Sequence, residues 1–219
     1  MAMNRYRGYK PKKRNSHERR QKRIIVIAAE GNNKTEKLYF RNFSSDSVKV
    51  DFVPGGNTDP VNMANDLVDY CHDMDFDTSF GDKAYCLVDL DVDSNKNDQV
   101  KKADKIAAKN HDYNMEIIVS NPCFEEWFMC HFGFSTKQYC SSSELLRDVE
   151  NKIPGYTKSR DDIYDLLYPR INDAIENAKK LEKFNSEAGR TIHTADFQPS
   201  TEVYKIVEMM KEICVGSMK

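Results

Sequence analysis

Three acidic side chains stand where short apolar runs give out: Glu30 directly after residues 24–29, and Asp89 and Asp91 at the end of residues 84–91. Hard divalent cations prefer carboxylate oxygen, and Mg²⁺ usually takes one or two carboxylates while leaving its other positions to water and phosphate. Such a centre suits phosphodiester hydrolysis, in which a metal stabilises charge on the transferring phosphate and activates water. Leu87, Val88 and Leu90 bracket the aspartates and draw at least one carboxylate toward a sheet, where an unpaired charge is costly. A spacing of two sends Asp89 and Asp91 to one face of a strand. Asp93 continues that face as a further metal ligand, ranked below the other two because it lies further into a polar stretch, residues 94–97. Solvation alone also gathers acids at strand ends, so the apolar context is what raises the functional reading above the bland one.

These carboxylates need strands to carry them. Residues 24–29 are a continuous β-branched apolar run, the pattern of a parallel strand covered on both faces. Residues 48–53, 84–91 and 115–119 read as further strands. Between them, Thr35 caps a helix with the stripe Leu38, Tyr39, Phe40 and Phe43, and Thr58-Asp59-Pro60 starts another whose buried face is Val61, Ala64, Leu67, Val68 and Cys71. A third helix spans about 97–110. Strands alternating with helices predict an α/β fold with a parallel sheet of about four strands and helices on both faces. Ligands collect at the carboxyl ends of such strands. After Ser120-Asn121-Pro122 the pattern is helical over 124–132, 141–152, 161–186 and 200–214, with no convincing strand.

The chain has 219 residues, 39% hydrophobic and 31% charged, as expected of a globular protein long enough for a substantial core. No apolar run approaches a bilayer span, and the opening residues lack the apolar stretch of a secretory signal, so a cytoplasmic location without membrane association is expected. Six cysteines form no CxxC pair, which argues against structural zinc and against a disulfide framework. Residues 1–23 hold ten basic side chains against the single acid Glu18; with −2 for the whole chain, the remainder carries −11. A basic arm containing Tyr6 and Tyr9 can contact phosphates by charge and bases by stacking, or be a solubilising tail.

Glu30-Gly31, Lys34-Thr35-Glu36, Tyr39-Phe40, Asp89-Leu90-Asp91 and residues 120–127, Ser-Asn-Pro-Cys-Phe-Glu-Glu-Trp, together resemble the RloB-like family of prokaryotic defence-associated proteins. The resemblance runs from about residue 24 to 210 and takes in Tyr156, Lys158 and a helix start at Pro199-Ser200-Thr201. RloB-like proteins are similar in turn to Toprim domains, which have a glutamate after the first strand and Asp-x-Asp after the third. The resemblance implies a Toprim/Rossmann-like core over residues 24–122, between the basic arm and a mainly helical extension, 123–219, packed on it. It also implies that Glu30 is the general acid or base and that Asp89 and Asp91 hold Mg²⁺ or Mn²⁺; Glu30 and Asp93 complete the candidate metal ligands. The activity it implies is that of an anti-phage effector nuclease working with an ATPase partner; RNA such as tRNA, DNA, and a homo-oligomer all stay open.

Lys34, Asn121, Glu125, Tyr156 and Lys158 are candidate substrate contacts. Lys34 offers a point charge to phosphate beside Gly31; a solvated lysine is an equal reading. Asn121 ends the fourth strand at the same edge. Glu125 belongs to the Phe-Glu-x-Trp signature, and Tyr156 and Lys158 are singled out by the resemblance alone. Glu36 is read as complementing a helix dipole rather than facing metal. Phe124, Trp127, Phe128 and Phe132 read as core, and His131 and His193 as structural. The competing function is a nucleic-acid or partner-binding module whose acidic site does no catalysis; a third is nucleotidyl transfer.

Overall fold

The computed structural model describes residues 22–31 and 34–216, with side chains through residue 213. The expected basic arm lies outside the described residues except for Lys22 and Arg23. The sheet is built from β1 (Arg23–Ala28), β2 (Val48–Phe52), β3 (Lys83–Asp89), β4 (Met115–Asn121) and β5 (Ser200–Thr201), in the order β2-β1-β3-β4-β5. The first four are parallel, and β5 pairs antiparallel with β4 through Ser120 opposite Thr201 and Asn121 opposite Ser200. The chain leaves β1 to one side for β2 and returns to its other side for β3. This reversal of direction opens a crevice at the carboxyl ends of β1 and β3, where ligands of open α/β sheets bind.

Both faces of the sheet are covered, which is why β1 has no polar alternation. Val26, Ala28, Ala84, Cys86 and Val88 face a layer made by α2 (Pro60–Asp73) and α3 (Lys96–Lys109). Ile25, Ile27, Tyr85 and Leu87 face the other layer, where α1 (Lys34–Phe40) meets α4 (Glu126–Cys130), α5 (Ser142–Lys152), α6 (Ile163–Leu167), α7 (Ile171–Glu187) and α8 (Val203–Gly216). Trp127, Phe128, Tyr39 and Phe40 are fully buried there, each contributing on the order of 1.5–3 kcal/mol or more by leaving water. The aromatic stripe is thus core, as its spacing indicates.

Several expectations need correction. β5 is a strand where helix was expected to begin: Ser200 and Thr201 are buried and extended, and α8 starts only at Val203. Two residues are too few to leave a period-2 signal. The helix expected over 161–186 is broken at Pro169, which stands in a 3-10 turn, Tyr168–Arg170, between α6 and α7. Asp59 caps α2 as expected, its carboxylate accepting from Asn62 N at 2.9 Å. Thr35 is no cap: it lies inside α1, and its hydroxyl donates to the Lys158 carbonyl at 3.2 Å. Cys71, Cys86, Cys123, Cys130 and Cys140 are free thiols, all but Cys140 buried. No helix among the described residues is long and apolar enough to cross a membrane.

Candidate active site

Asp89 is the last residue of β3 and points to the side of Tyr85 and Leu87. Burial is the main influence on its carboxyl and raises its pKa well above the ordinary range; Glu36, Glu125, Glu30 and Asp91 add to this by repulsion. Asp91 is not on the strand face that a spacing of two implies. β3 has ended, and Asp91 and Val92 turn through the left-handed region at φ 53° and 58°. A β-branched valine with positive φ is a genuine outlier, of order 1–3 kcal/mol, which the surroundings must impose. They do so through backbone hydrogen bonds: Asp91 N donates to the Pro122 carbonyl at 2.8 Å and Leu90 N to Ser120 O at 2.9 Å.

Asn121 completes this clamp. Its Oδ1 accepts from Val92 N at 3.3 Å, while its Nδ2 donates to the carbonyls of Ala195 at 3.0 Å and Phe197 at 3.3 Å. The side chain is fully buried and committed to backbone groups. The expectation that Asn121 touches substrate is therefore replaced by a positioning role: it ties the Asp91 loop to the segment before β5. Asp93 likewise turns inward on its own loop, its Oδ1 accepting from Asn95 N at 2.9 Å and Asn95 Nδ2 at 2.8 Å.

Lys96 occupies the middle of the acidic centre. Its ammonium lies 2.8 Å from Asp91 Oδ2 and 3.2 Å from Glu30 Oε1, and donates to the Asp89 carbonyl at 2.7 Å. Glu30 is partly buried just past β1; burial raises its pKa, against the lowering effect of Lys96. The other oxygen of Asp91 accepts from the Ser142 hydroxyl at 2.5 Å, so α5 also holds this loop. Lys96 was not read from the sequence, since a lone lysine in Ser94-Asn95-Lys96-Asn97 carries no periodic or motif signal; its position, five residues past Asp91 in the first turn of α3, is the only clue.

Beside this cluster lies a second one. Glu125, 1% exposed, accepts from the Tyr156 hydroxyl at 2.9 Å and the Cys123 thiol at 3.0 Å, with Lys158 Nζ at 3.6 Å. Glu36 is buried on the inner side of α1, where burial first and then Glu125 and Glu30 raise its pKa to about 7. The helix-dipole reading of Glu36 gives way to membership of the acidic centre. Lys34, at the exposed start of α1, is not among the described contacts of these acids. Glu30, Asp89, Asp91, Glu125, Tyr156 and Lys158 thus come together, and Glu36 and Lys96 join them.

Five carboxyls face two ammonium groups across this crevice, and burial first, with repulsion among the acids after it, raises the pKa values of Asp89 and Glu36. As donor chemistry the set fits a hard divalent cation. As placed, no three His, Cys, Asp or Glu among the described residues converge as a metal-holding group, and Lys96 bridges Glu30 and Asp91. A family model described as RloB-like protein matches residues 25–210. Neither curated proteins nor solved structures gave a match. With the family model covering most of its length, the chain belongs to the RloB-like family.

Proposed function

We propose that this protein is a divalent-metal-dependent phosphoesterase of the Toprim type, acting as a nuclease in anti-phage defence. The observation that carries the reading is Asp89: a carboxyl at the end of β3, beside the crevice between β1 and β3, surrounded by four other acids and short of cations. Glu30, Asp89 and Asp91 would hold Mg²⁺ or Mn²⁺, which when bound would stabilise negative charge on a phosphodiester and supply an activated water.

The chain's own groups divide the remaining tasks. Glu30, at the mouth of the crevice with a pKa raised by burial, moves the proton between water and leaving group. Lys96, which pairs with Glu30 and Asp91, would offer its ammonium to a phosphate oxygen once those carboxylates held the cation. Lys158, more than half exposed, offers a second charge to the flanking phosphate, while Tyr156 and Cys123 hold Glu125 still. An ATPase partner and abortive infection of the host are part of this reading through the family resemblance.

The test is cleavage of tRNA, single-stranded RNA and duplex DNA with Mg²⁺ or Mn²⁺ against EDTA, in the parent, Glu30→Gln and Asp89→Asn. Metal-dependent cutting lost in both variants is the expected result. Cutting that survives in Asp89→Asn removes the proposal. One observation favours the second reading, a binding module without catalysis: Lys96 already pairs with both Glu30 and Asp91. Nucleic-acid binding without cutting, from folded protein, would support it.

A further inference from the structure

On the far side of α4 from β3, a cleft of about 270 Å³ opens between α4, the segment leading to α5, α5 itself and α7. Glu126 lines it. This side chain is 97% buried, given its 3% exposure, and its Oε2 accepts no hydrogen bond. An unpartnered buried carboxyl oxygen forfeits about 1–3 kcal/mol, and native proteins seldom leave one without a use. The rest of the lining is an apolar wall, Met129, Phe132 and Phe134, with Phe134 half exposed at the rim, and an exposed Lys152 from α5. Lys137 also lines the cleft, but its ammonium is held by Asp148 at 2.6 Å.

We propose that this cleft binds a purine nucleotide, with the base edge on the Glu126 carboxyl, the ring against the Met129–Phe132–Phe134 wall and the phosphate toward Lys152. The volume lies just below the roughly 300–1,000 Å³ of small-molecule sites, which suits a base with its sugar and not a large cofactor. An aromatic wall that ends in an exposed phenylalanine is a stacking surface for a planar base. Burial, and after it the nearby Asp148, raises the Glu126 pKa well above the ordinary range and so favours the neutral carboxyl, an O–H donor beside a C=O acceptor. Adenine offers the complement, a ring-nitrogen acceptor beside an amino donor. Guanine offers it as well, its O6 acceptor beside the N1–H donor, so the carboxyl accepts either purine. Cytosine has the right edge but less surface for the wall.

The nucleotide can be free or an unstacked residue of RNA, and the two sources share this chemistry. Calorimetric titration of the full chain with AMP, adenosine, GMP, CMP and single-stranded oligoadenylate tests the assignment, and it reads no cleavage, so it stands apart from the acidic centre. AMP and GMP should bind, and Glu126→Leu should lose roughly tenfold or more, the worth of a buried hydrogen-bond pair. Glu126→Gln, which keeps a donor beside an acceptor, should stay within about threefold of the parent, a difference under 1 kcal/mol. Lys152→Ala should erase the advantage of AMP over adenosine, and Phe134→Ala should weaken both; these exposed changes keep the test readable if Glu126→Leu does not fold. Oligoadenylate binding tighter than AMP, and equally sensitive to Glu126→Leu, identifies an RNA residue as the source; AMP binding at least as tightly identifies a free nucleotide. Absence of AMP, GMP and oligoadenylate binding at millimolar concentration, affinity unchanged in Glu126→Leu, or CMP binding as tightly as AMP, each overturns it.

Discussion

Replacing Lys96 by methionine removes one ammonium from three contacts, at 2.7, 2.8 and 3.2 Å, while keeping a side chain of similar length. Hydrogen bonds to charged groups contribute about 1.5–3 kcal/mol each, and removing one partner of a buried ion pair costs about 3–5 kcal/mol. Here the partners are only partly withdrawn from water: Glu30 is 17% exposed and Asp91 43%. Solvent therefore compensates much of the loss, and a net destabilisation of about 2 kcal/mol is expected without metal. For a chain of this size that lowers the melting temperature by roughly 4–8 °C. A divalent cation entering the parent must displace the same ammonium, so Lys96→Met should bind Mn²⁺ more tightly by the same 2 kcal/mol, a factor of roughly 30. Thermal melts in EDTA and in graded Mn²⁺ read both numbers: the variant should start lower and gain more. A variant that melts with the parent in EDTA and responds to Mn²⁺ no more strongly would refute the idea that Lys96 stands in for the cation.

Two further expectations concern the frame around the site. His193, at φ 62°, hydrogen-bonds Asp104 at 3.0 Å and Glu202 at 2.8 Å; burial opposes its charge, yet these bonds prevail and raise its pKa to about 9. A raised histidine contributes stability that is complete below its ordinary value of 6.5 and is lost as pH climbs through about 9, here on the order of 3 kcal/mol. In urea melts the gap between parent and His193→Gln should close over that window, and a gap independent of pH would show that charge is not what holds the segment. Asn121→Ala leaves two carbonyls and the Val92 amide without their partner and should cost about 2–4 kcal/mol in urea melts. Unchanged stability with a raised KM would instead return Asn121 to the substrate.

Glu30 and Asp89 were legible because each closes an apolar run that only a doubly covered strand explains, and the structure indeed sets β1 beside β3. Asp91 was legible as an acid of the site but not in its direction, since φ at a strand end depends on what the chain meets next, here Pro122 and Asn121. Lys96, Ser142 and the Asn121 clamp were not legible: each acts through a partner tens of residues away, and single polar residues leave no periodicity. Pro169 was visible, yet the long apolar stripe around it masked the break between α6 and α7. Glu36 shows the same limit, because its place in the first turn fits either a dipole role or a turn inward, and only the packing of α1 decides.

The two-residue strand β5 has a consequence for synthesis. Its pairing with β4, the Glu202 carboxylate that accepts from Val119 N at 3.0 Å, and the carbonyls that hold Asn121 all come from residues 195–202. A nascent chain from which that stretch is still missing already contains Glu30, Asp89 and Asp91, with the Pro122 and Ser142 contacts of the Asp91 loop, but the Asn121 side chain that meets Val92 lacks the Ala195 and Phe197 carbonyls that hold it. Because chains fold from the N-terminus as they emerge, the Asn121 clamp is among the last parts of the site to be finished, and a product stalled before residue 195 carries all of its acids with that clamp only half made.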